Sequence, residues 1–370
     1  MENYTSDSSD SDHIEEHTID LSYYIINNTL VEENLIHQSE KSLGLIKIIK
    51  LNHNNLPVVP IALTKYTNLK VLDLSNNCLT SLPDLLQHCP LDKLIVKNNL
   101  ITNGGLPKTF TRNSMIKEIN LSGNRLSSFP EQLLELKELK YLYLGANEIP
   151  SISKDIWRLD NLNILSMGSN RLTEVPESVG LLKHLRALIL SDNIIHNLPS
   201  SIANLKHLKT LSLHKNQLRT LPTEIITLKC LSELSLRENP LVVRFVHDMT
   251  LAPASLRELS ARVVKINKMV CGPKDLPRTL LEYLDSGHCC VNPKCEGVFF
   301  DNRVEHVKFV DFCGKYRVPL LQYLCSAKCI TDSKDSPAGS SSSYNNNNGV
   351  LYEREEPRPS PDLMRKVLLG

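Results

Sequence analysis

Nine asparagines recur along this chain at nearly constant intervals. They are Asn54, Asn77, Asn99, Asn124, Asn147, Asn170, Asn193, Asn216 and Asn239, with successive spacings of 23, 22, 25, 23, 23, 23, 23 and 23 residues. Each stands in the same frame, L-x-x-L-x-L-x-x-N-x-L, as in Leu139, Leu142, Leu144, Asn147 and Ile149. A copy of this length cannot enclose a core alone, so its apolar face must be buried against the next copy. The leucines at the fourth and sixth positions are two apart and point inward from a short strand. The asparagine then has to satisfy backbone groups where the chain leaves the strand, because buried polar groups need partners.

The second half of each copy, such as VPESVGLLKHL or LPSSIANLKHL, carries a proline that can open a helical or 3-10 segment. The expected fold class is therefore α/β: a leucine-rich-repeat solenoid, a horseshoe with parallel strands on its concave face. Nine repeats occupy residues 45–250. Apolar residues at helical spacings within 16–44, including Leu21, Tyr24, Leu30, Leu35 and Ile36, read as an N-terminal capping element. The longer interval from Asn99 to Asn124 contains Asn103-Gly104-Gly105, which predicts a bulging loop. Trp157, in the helical half of a repeat, is expected in the core. Residues 1–15 form an acidic tail, and 331–370, with PAGSSSSYNNNNG, a low-complexity one; both are expected to be disordered.

Charge excludes little and favours nothing polyanionic. The chain has 42 basic against 41 acidic residues, a net charge of +1, so neither nucleic acid nor an anionic membrane is an expected partner. The opening stretch is acidic and polar, the opposite of a secretory signal. The ten cysteines then belong in a reducing compartment, cytoplasmic or nuclear. The repeat face is expected to hold a protein substrate through Tyr141, Tyr143, Arg125, Arg171, His214 and Arg237, since aromatic and arginine side chains dominate protein interfaces.

Beyond the repeats, residues 251–285 read as helical. Ser255 followed by Glu258 forms a capping box. Leu256, Ser260 and Val264 share a helix face, with Leu259 and Val263 beside it. This pattern resembles the elongin C-binding box of ubiquitin-ligase substrate receptors. Thr227-Leu228 through Ser232 to Leu236 also fits, but its leucines belong to the repeat core. Leu276, Pro277, Leu280 and Leu284 follow, similar to the cullin-selecting box of such receptors. Leu276-Pro277 is like the cullin-2 type and Tyr283-Leu284 like the cullin-5 type. The resemblance implies elongin B/C and cullin-2 or cullin-5 as partners. The same helices also read as a cap on the solenoid's end.

Six cysteines crowd between Cys289 and Cys329 in the module spanning 286–330. Cys290 and Cys295 form a C-x4-C pair, Cys325 and Cys329 a C-x3-C pair. Two such pairs can enclose one structural zinc. His288, Cys289, His306 and Cys313 are alternative ligands, and buried reduced thiols are the plainer reading. Val304, Val307 and Phe309 alternate as a strand would. The stretches CCVNPKC, KFVDFCGKY and PLLQYLC, with nine repeats ahead of them, resemble the leucine-rich repeat-containing protein 58 family. That resemblance implies a non-enzymatic interaction protein. Two functions from different classes follow: a substrate receptor of an elongin–cullin ligase, or a signalling scaffold for a small GTPase or phosphatase. A cysteine-based enzyme is a third, though no phosphate loop, kinase signature or hydrolase elbow accompanies the thiols.

Overall fold

The computed structural model describes residues 17–24, 28–37, 43–83, 89–110, 115–242, 254–292, 295–312, 316–331 and 366–368. The acidic tail 1–15 and residues 243–250 of the last repeat lie outside them. The chain divides into two compact units, one holding the repeats and the other residues 241–364 with a short segment at 220–223.

The repeat unit is built on one parallel sheet. Its strands follow chain order: β1 (Thr18–Asp20), β2 (Ile48–Lys50), β3 (Val71–Asp73), β4 (Lys93–Ile95), β5 (Glu118–Asn120), β6 (Tyr141–Tyr143), β7 (Ile164–Ser166), β8 (Ala187–Ile189), β9 (Thr210–Ser212) and β11 (Glu233–Ser235). From β3 to β9 the middle residue of each strand is buried and its two neighbours are half-buried, which is the period-two alternation of a strand with one face in a core. Between strands the prolines act as expected. Pro60, Pro130, Pro176 and Pro199 each precede a 3-10 segment, with φ of −60°, −76°, −70° and −71°.

The ladder asparagines close the stack. Asn170 donates from Nδ2 to the Met167 carbonyl (3.1 Å) in its own repeat and the Leu144 carbonyl (3.0 Å) in the preceding one. Its Oδ1 accepts from the Ile149 amide at 3.0 Å. Asn77, Asn99, Asn124, Asn147, Asn193 and Asn216 repeat the pattern, all buried. Aspartate offers no donor and leucine no polar group, so an amide alone fits two carbonyls and one N–H. The residue before each asparagine takes positive φ, including Ala146 (52°), Asp192 (57°) and Lys215 (55°). That conformation is unfavourable for such residues, and the amide's bonds hold the chain in it.

Several expectations are corrected here. The cap consists of β1 and a helix α1 (Asn28–Ile36), but Val31 and Leu35 are its buried residues, while Tyr24, Leu30 and Ile36 are exposed. Glu32 reaches the first 3-10 segment and accepts from the Ile61 (2.6 Å) and Ala62 (3.1 Å) amides. Asn103–Gly105 is no loose bulge. It forms a 3-10 turn in which Asn103 Oδ1 accepts from the Ser127 amide at 2.8 Å, and a Cβ on Gly105 would lie 2.2 Å from the Thr80 carbonyl. Trp157 is 49% exposed, on the three-residue 3-10 turn Ile156–Arg158, of which Ile156 is the residue that turns into the core. Of the expected C-terminal tail, Lys366–Leu368 forms strand β16, parallel to β11.

The second unit contains helix α2 (Leu256–Ile266), helix α3 (Arg278–Asp285) and a two-stranded sheet of β12 (His288–Cys289) and β13 (Val298–Phe299). A long hairpin follows, β14 (Val304–Phe312) with β15 (Tyr316–Leu324), then the short helix α4 (Lys328–Thr331). The two-residue β10 (Leu221–Pro222) pairs with β15. Two small clusters of buried side chains stand out among the unit's described residues. One comprises Ala261, Leu284, Val298 and Phe300; the other comprises Cys290, Val304, Leu324 and Cys329.

Candidate functional sites

Three surfaces come from this architecture. On the strand face, Tyr141 and Tyr143 flank the buried Leu142 and point away from the core. Register sets Glu118 beside Tyr141 on one side and Ile164 on the other; Asn120 and Ser166 flank Tyr143. Burial, with the nearby Glu118 carboxylate and Tyr141, raises the Tyr143 hydroxyl above its ordinary range. From β6 to β8 the outward residues are Tyr141, Tyr143, Ile164, Ser166, Ala187 and Ile189, an uncharged band bordered by the Lys93–Glu118 ion pair at 2.9 Å. Ile164 and Ala187 were missed in the sequence; their signal was their place in the repeat frame.

The remaining substrate candidates are spread more widely. Arg125 and Arg171 are exposed just past their asparagines, and Arg171 pairs with Glu148 at 2.9 Å. His214 is half-buried, its Nδ1 within 3.1 Å of Ser212 Oγ and 3.4 Å of Ser235 Oγ, and Arg237 is exposed.

Helix α2 presents the second surface. Ser255 caps it, its Oγ accepting from the Glu258 amide at 3.2 Å. The reciprocal half of the capping box is absent. The Glu258 carboxylate instead turns inward, 1% exposed, and accepts from the Phe300 (3.2 Å) and Asn302 (2.9 Å) amides and from Arg262 (2.6 Å). Arg262 also donates to the Asn302 (2.6 Å) and Cys325 (3.0 Å) carbonyls. A buried carboxylate stays charged only when so fully bonded. With Glu258, Ala261 and Arg262 turned inward, the opposite ridge is free: Leu256 is 83% exposed, Val263 56% and Leu259 46%, with Ser260 exposed among them.

Not every residue of the two boxes is available. Val264 packs on the Ala261 core, as does Leu276, and Leu284 lies inside it. Helix α3 has to cover Val298 and Phe300, and its leucine face is what covers them, so Leu284 cannot serve a cullin contact. Pro277 is exposed at the start of α3, and Leu280 is half-buried. Tyr283 is engaged internally, donating to Asp301 at 2.8 Å and stacking on Phe300.

The thiols form the third site. Sγ atoms of Cys290, Cys295, Cys325 and Cys329 all lie within 4.8 Å of one another. Cys295 and Cys325 are 3.5 Å apart, Cys325 and Cys329 3.6 Å. A tetrahedron of thiolates about 2.3 Å from zinc has edges of about 3.8 Å, so the spacing fits that ion. Backbone geometry supports the cluster: a Cβ on Gly297 would fall 2.5 Å from Cys325 Sγ and 3.0 Å from Cys295 Sγ, so only glycine fits. Burial pushes the Cys325 thiol well up. Burial opposes ionisation of Cys329 too, but hydrogen bonds from Ser326 and the other thiols outweigh it and hold that group below its ordinary value. Among the described residues, His288, Cys289 and His306 do not join the group; Cys313 lies outside them. The described cysteines are unpaired, and no described helix is long and apolar enough to cross a membrane.

Known proteins place this arrangement. The Leucine rich repeat family model matches residues 90–149, 115–172, 138–195 and 183–241, and a second Leucine Rich Repeat model matches 68–89. A leucine-rich-repeat protein of Leptospira interrogans superposes with a TM-score of 0.55 at 33% identity, over 62% of this chain and 56% of that one. Leucine-rich repeat-containing protein 58 of Xenopus laevis is 57% identical over 338 residues, 91% of this chain and 93% of its own. Its Homo sapiens namesake is 61% identical over 311 residues, 81% and 84% of the two chains. Matches of that extent run past the repeats into the thiol unit, and the chain belongs to the leucine-rich repeat-containing protein 58 family.

Proposed function

We propose that this protein is a substrate receptor of an elongin B/C–cullin ubiquitin ligase, with cullin-2 or cullin-5 as the scaffold. The carrying observation is the ridge of Leu256, Leu259, Ser260 and Val263, left exposed on a helix anchored by its other face. A leucine with a small residue one turn later suits insertion into an apolar groove of a partner. Burying Leu256 there would contribute about 2 kcal/mol. The repeat face, with Tyr141 and Tyr143 at the uncharged band, holds the protein substrate. The receptor performs no chemistry of its own; it supplies proximity between substrate and the ligase's other subunits. One structural zinc on Cys290, Cys295, Cys325 and Cys329 supports the docking unit, and the protein works in the reducing cytoplasm or nucleus.

The test is affinity capture of wild type against Leu256→Ala with Ser260→Asp. Wild type retains elongin B, elongin C and a cullin, and the double variant loses all three while still capturing substrate. Equal retention by both proteins would end the ligase reading. Capture of a GTPase or phosphatase through Tyr141 and Tyr143, with no ligase subunit present, would establish the signalling-scaffold alternative.

A further inference from the structure

The polar anchor of helix α2 ends on the thiol cluster. Arg262 Nη1 donates to the carbonyl of Cys325, one of the four thiol residues. Arg262 Nη2 donates to the Asn302 carbonyl, and Glu258 accepts from the Phe300 and Asn302 amides. That turn is the direct continuation of β13, which begins three residues after Cys295. Both receiving segments therefore emerge from the two thiol loops, which are separated by 30 residues of sequence and meet at the sulfurs and at the bond from Asn292 Nδ2 to the Cys329 carbonyl, 3.2 Å. The β12–β13 ladder and the pairing of Val304 with Leu324 also hold these segments, and Phe300 packs on Ala261 and Leu284. The apolar core around the sulfurs has four buried residues, two of them cysteines.

We propose that metal loading of the thiol cluster sets the docking helix, with Glu258 and Arg262 as the positioning pair that links them. This rests on the zinc and docking readings above. With the metal in place, the Cys325 carbonyl and the Phe300–Asn302 turn are fixed, and the pair holds α2 so that the Leu256 ridge faces outward as one surface. Without it, the loops loosen and the Glu258–Arg262 pair loses the fixed position of four of its backbone partners. Water then competes for both charges, and the helix loses its anchor although no ridge residue has changed. Recruitment of elongin B/C is then metal-dependent through a residue that touches neither the metal nor elongin.

The experiment uses the full chain and three readouts: zinc per chain, hydrogen exchange of peptides covering 256–266 and 115–240, and capture of purified elongin B/C. Chelation is expected to speed exchange in 256–266 at least a hundredfold and to cut capture at least tenfold. Exchange in 115–240 stays as it was, and added zinc reverses both effects. Arg262→Met is expected to keep its zinc yet to exchange at least tenfold faster across 256–266 while metal-loaded, with Arg262→Lys intermediate. A chain that binds no zinc overturns the proposal, as does a helix whose protection survives chelation. An Arg262→Met helix as protected as wild type overturns the role of the pair. If that variant fails to fold, chelation of wild type decides the coupling. Metal-linked protection without elongin capture in any state would sustain this inference and remove the ligase reading.

Discussion

The two units solve the same problem, burying polar backbone in a chain that curls back on itself, in opposite ways. In the repeat unit each asparagine makes a few ordinary hydrogen bonds, and the same set recurs from Asn54 to Asn239. No single contact is decisive, because stability accumulates through near neighbours. In the second unit the polar work is concentrated in one pair, the buried Glu258 with the half-buried Arg262, and in four thiols. The lesson is that a distributed fold tolerates variation at its surface, which suits a substrate face. A concentrated one holds a single helix in one pose, which suits a fixed adaptor contact.

That contrast can be broken most forcefully at the thiol cluster. Chelation, or Cys325→Ser, should abolish the calorimetric transition of the second unit and leave that of the repeats within a few degrees. Structural zinc supplies on the order of 10 kcal/mol to small domains. One shared transition, lost as a whole, would show that the units are not independent in stability.

Next in size is Glu258→Ala, which leaves the half-buried Arg262 guanidinium without its carboxylate. The expected loss is about 3–5 kcal/mol in the second unit, read from its denaturant midpoint. A loss under about 1 kcal/mol would mean that water already reaches the pair.

In the repeats, Asn170→Ala removes donors to the Leu144 and Met167 carbonyls and the acceptor of the Ile149 amide. About 2–3 kcal/mol should go, with faster amide exchange confined to the repeats around it. Unfolding of the whole unit would contradict the distributed picture.

A smaller effect tests the cap. Tyr66 donates to the Leu35 carbonyl at 2.9 Å, and burial raises its hydroxyl from 10.0 to about 12. Because the neutral form is the one folded, its contribution is full below pH 10 and is lost as pH rises from 10 towards 12. Tyr66→Phe should weaken the cap by about 1 kcal/mol and remove that part of the alkaline loss. An unchanged alkaline profile in the variant would assign the loss to other groups.

The smallest stability effect belongs to Leu256→Ala. A residue so exposed should change either melting transition by less than about 0.5 kcal/mol while removing elongin capture. Measurable destabilisation would mean that the ridge is part of the fold rather than an interface.

Much of this was legible before any coordinates. The asparagine period dictated strands, stacking and the proline-led segments, because a solenoid's contacts are local in sequence and repeat. Ser255 as a cap and the spacing within each of the C-x4-C and C-x3-C pairs were local signals as well; that the two pairs meet was not. Trp157 misled, since a large apolar side chain in a repeat's second half can face either way on a one-turn segment. Glu258 misled differently. Its capping-box spacing holds on the Ser255 side alone, because the groups that claim its carboxylate, Phe300 and Asn302, lie more than 40 residues downstream.

The sequence by itself determined the repeat unit, its register, and which residues are amide ladder and which are outward strand positions, because each of those follows from neighbours about 23 residues apart in a regular frame. Only the tertiary structure decided which faces of α2 and α3 are spent on the protein's own interior, burying Leu284, half-burying Val264 and Leu276 and leaving Leu256, Leu259 and Val263 exposed. Both faces of such helices carry leucine and valine. Their fates are separated by a buried carboxylate whose partners come from elsewhere in the chain.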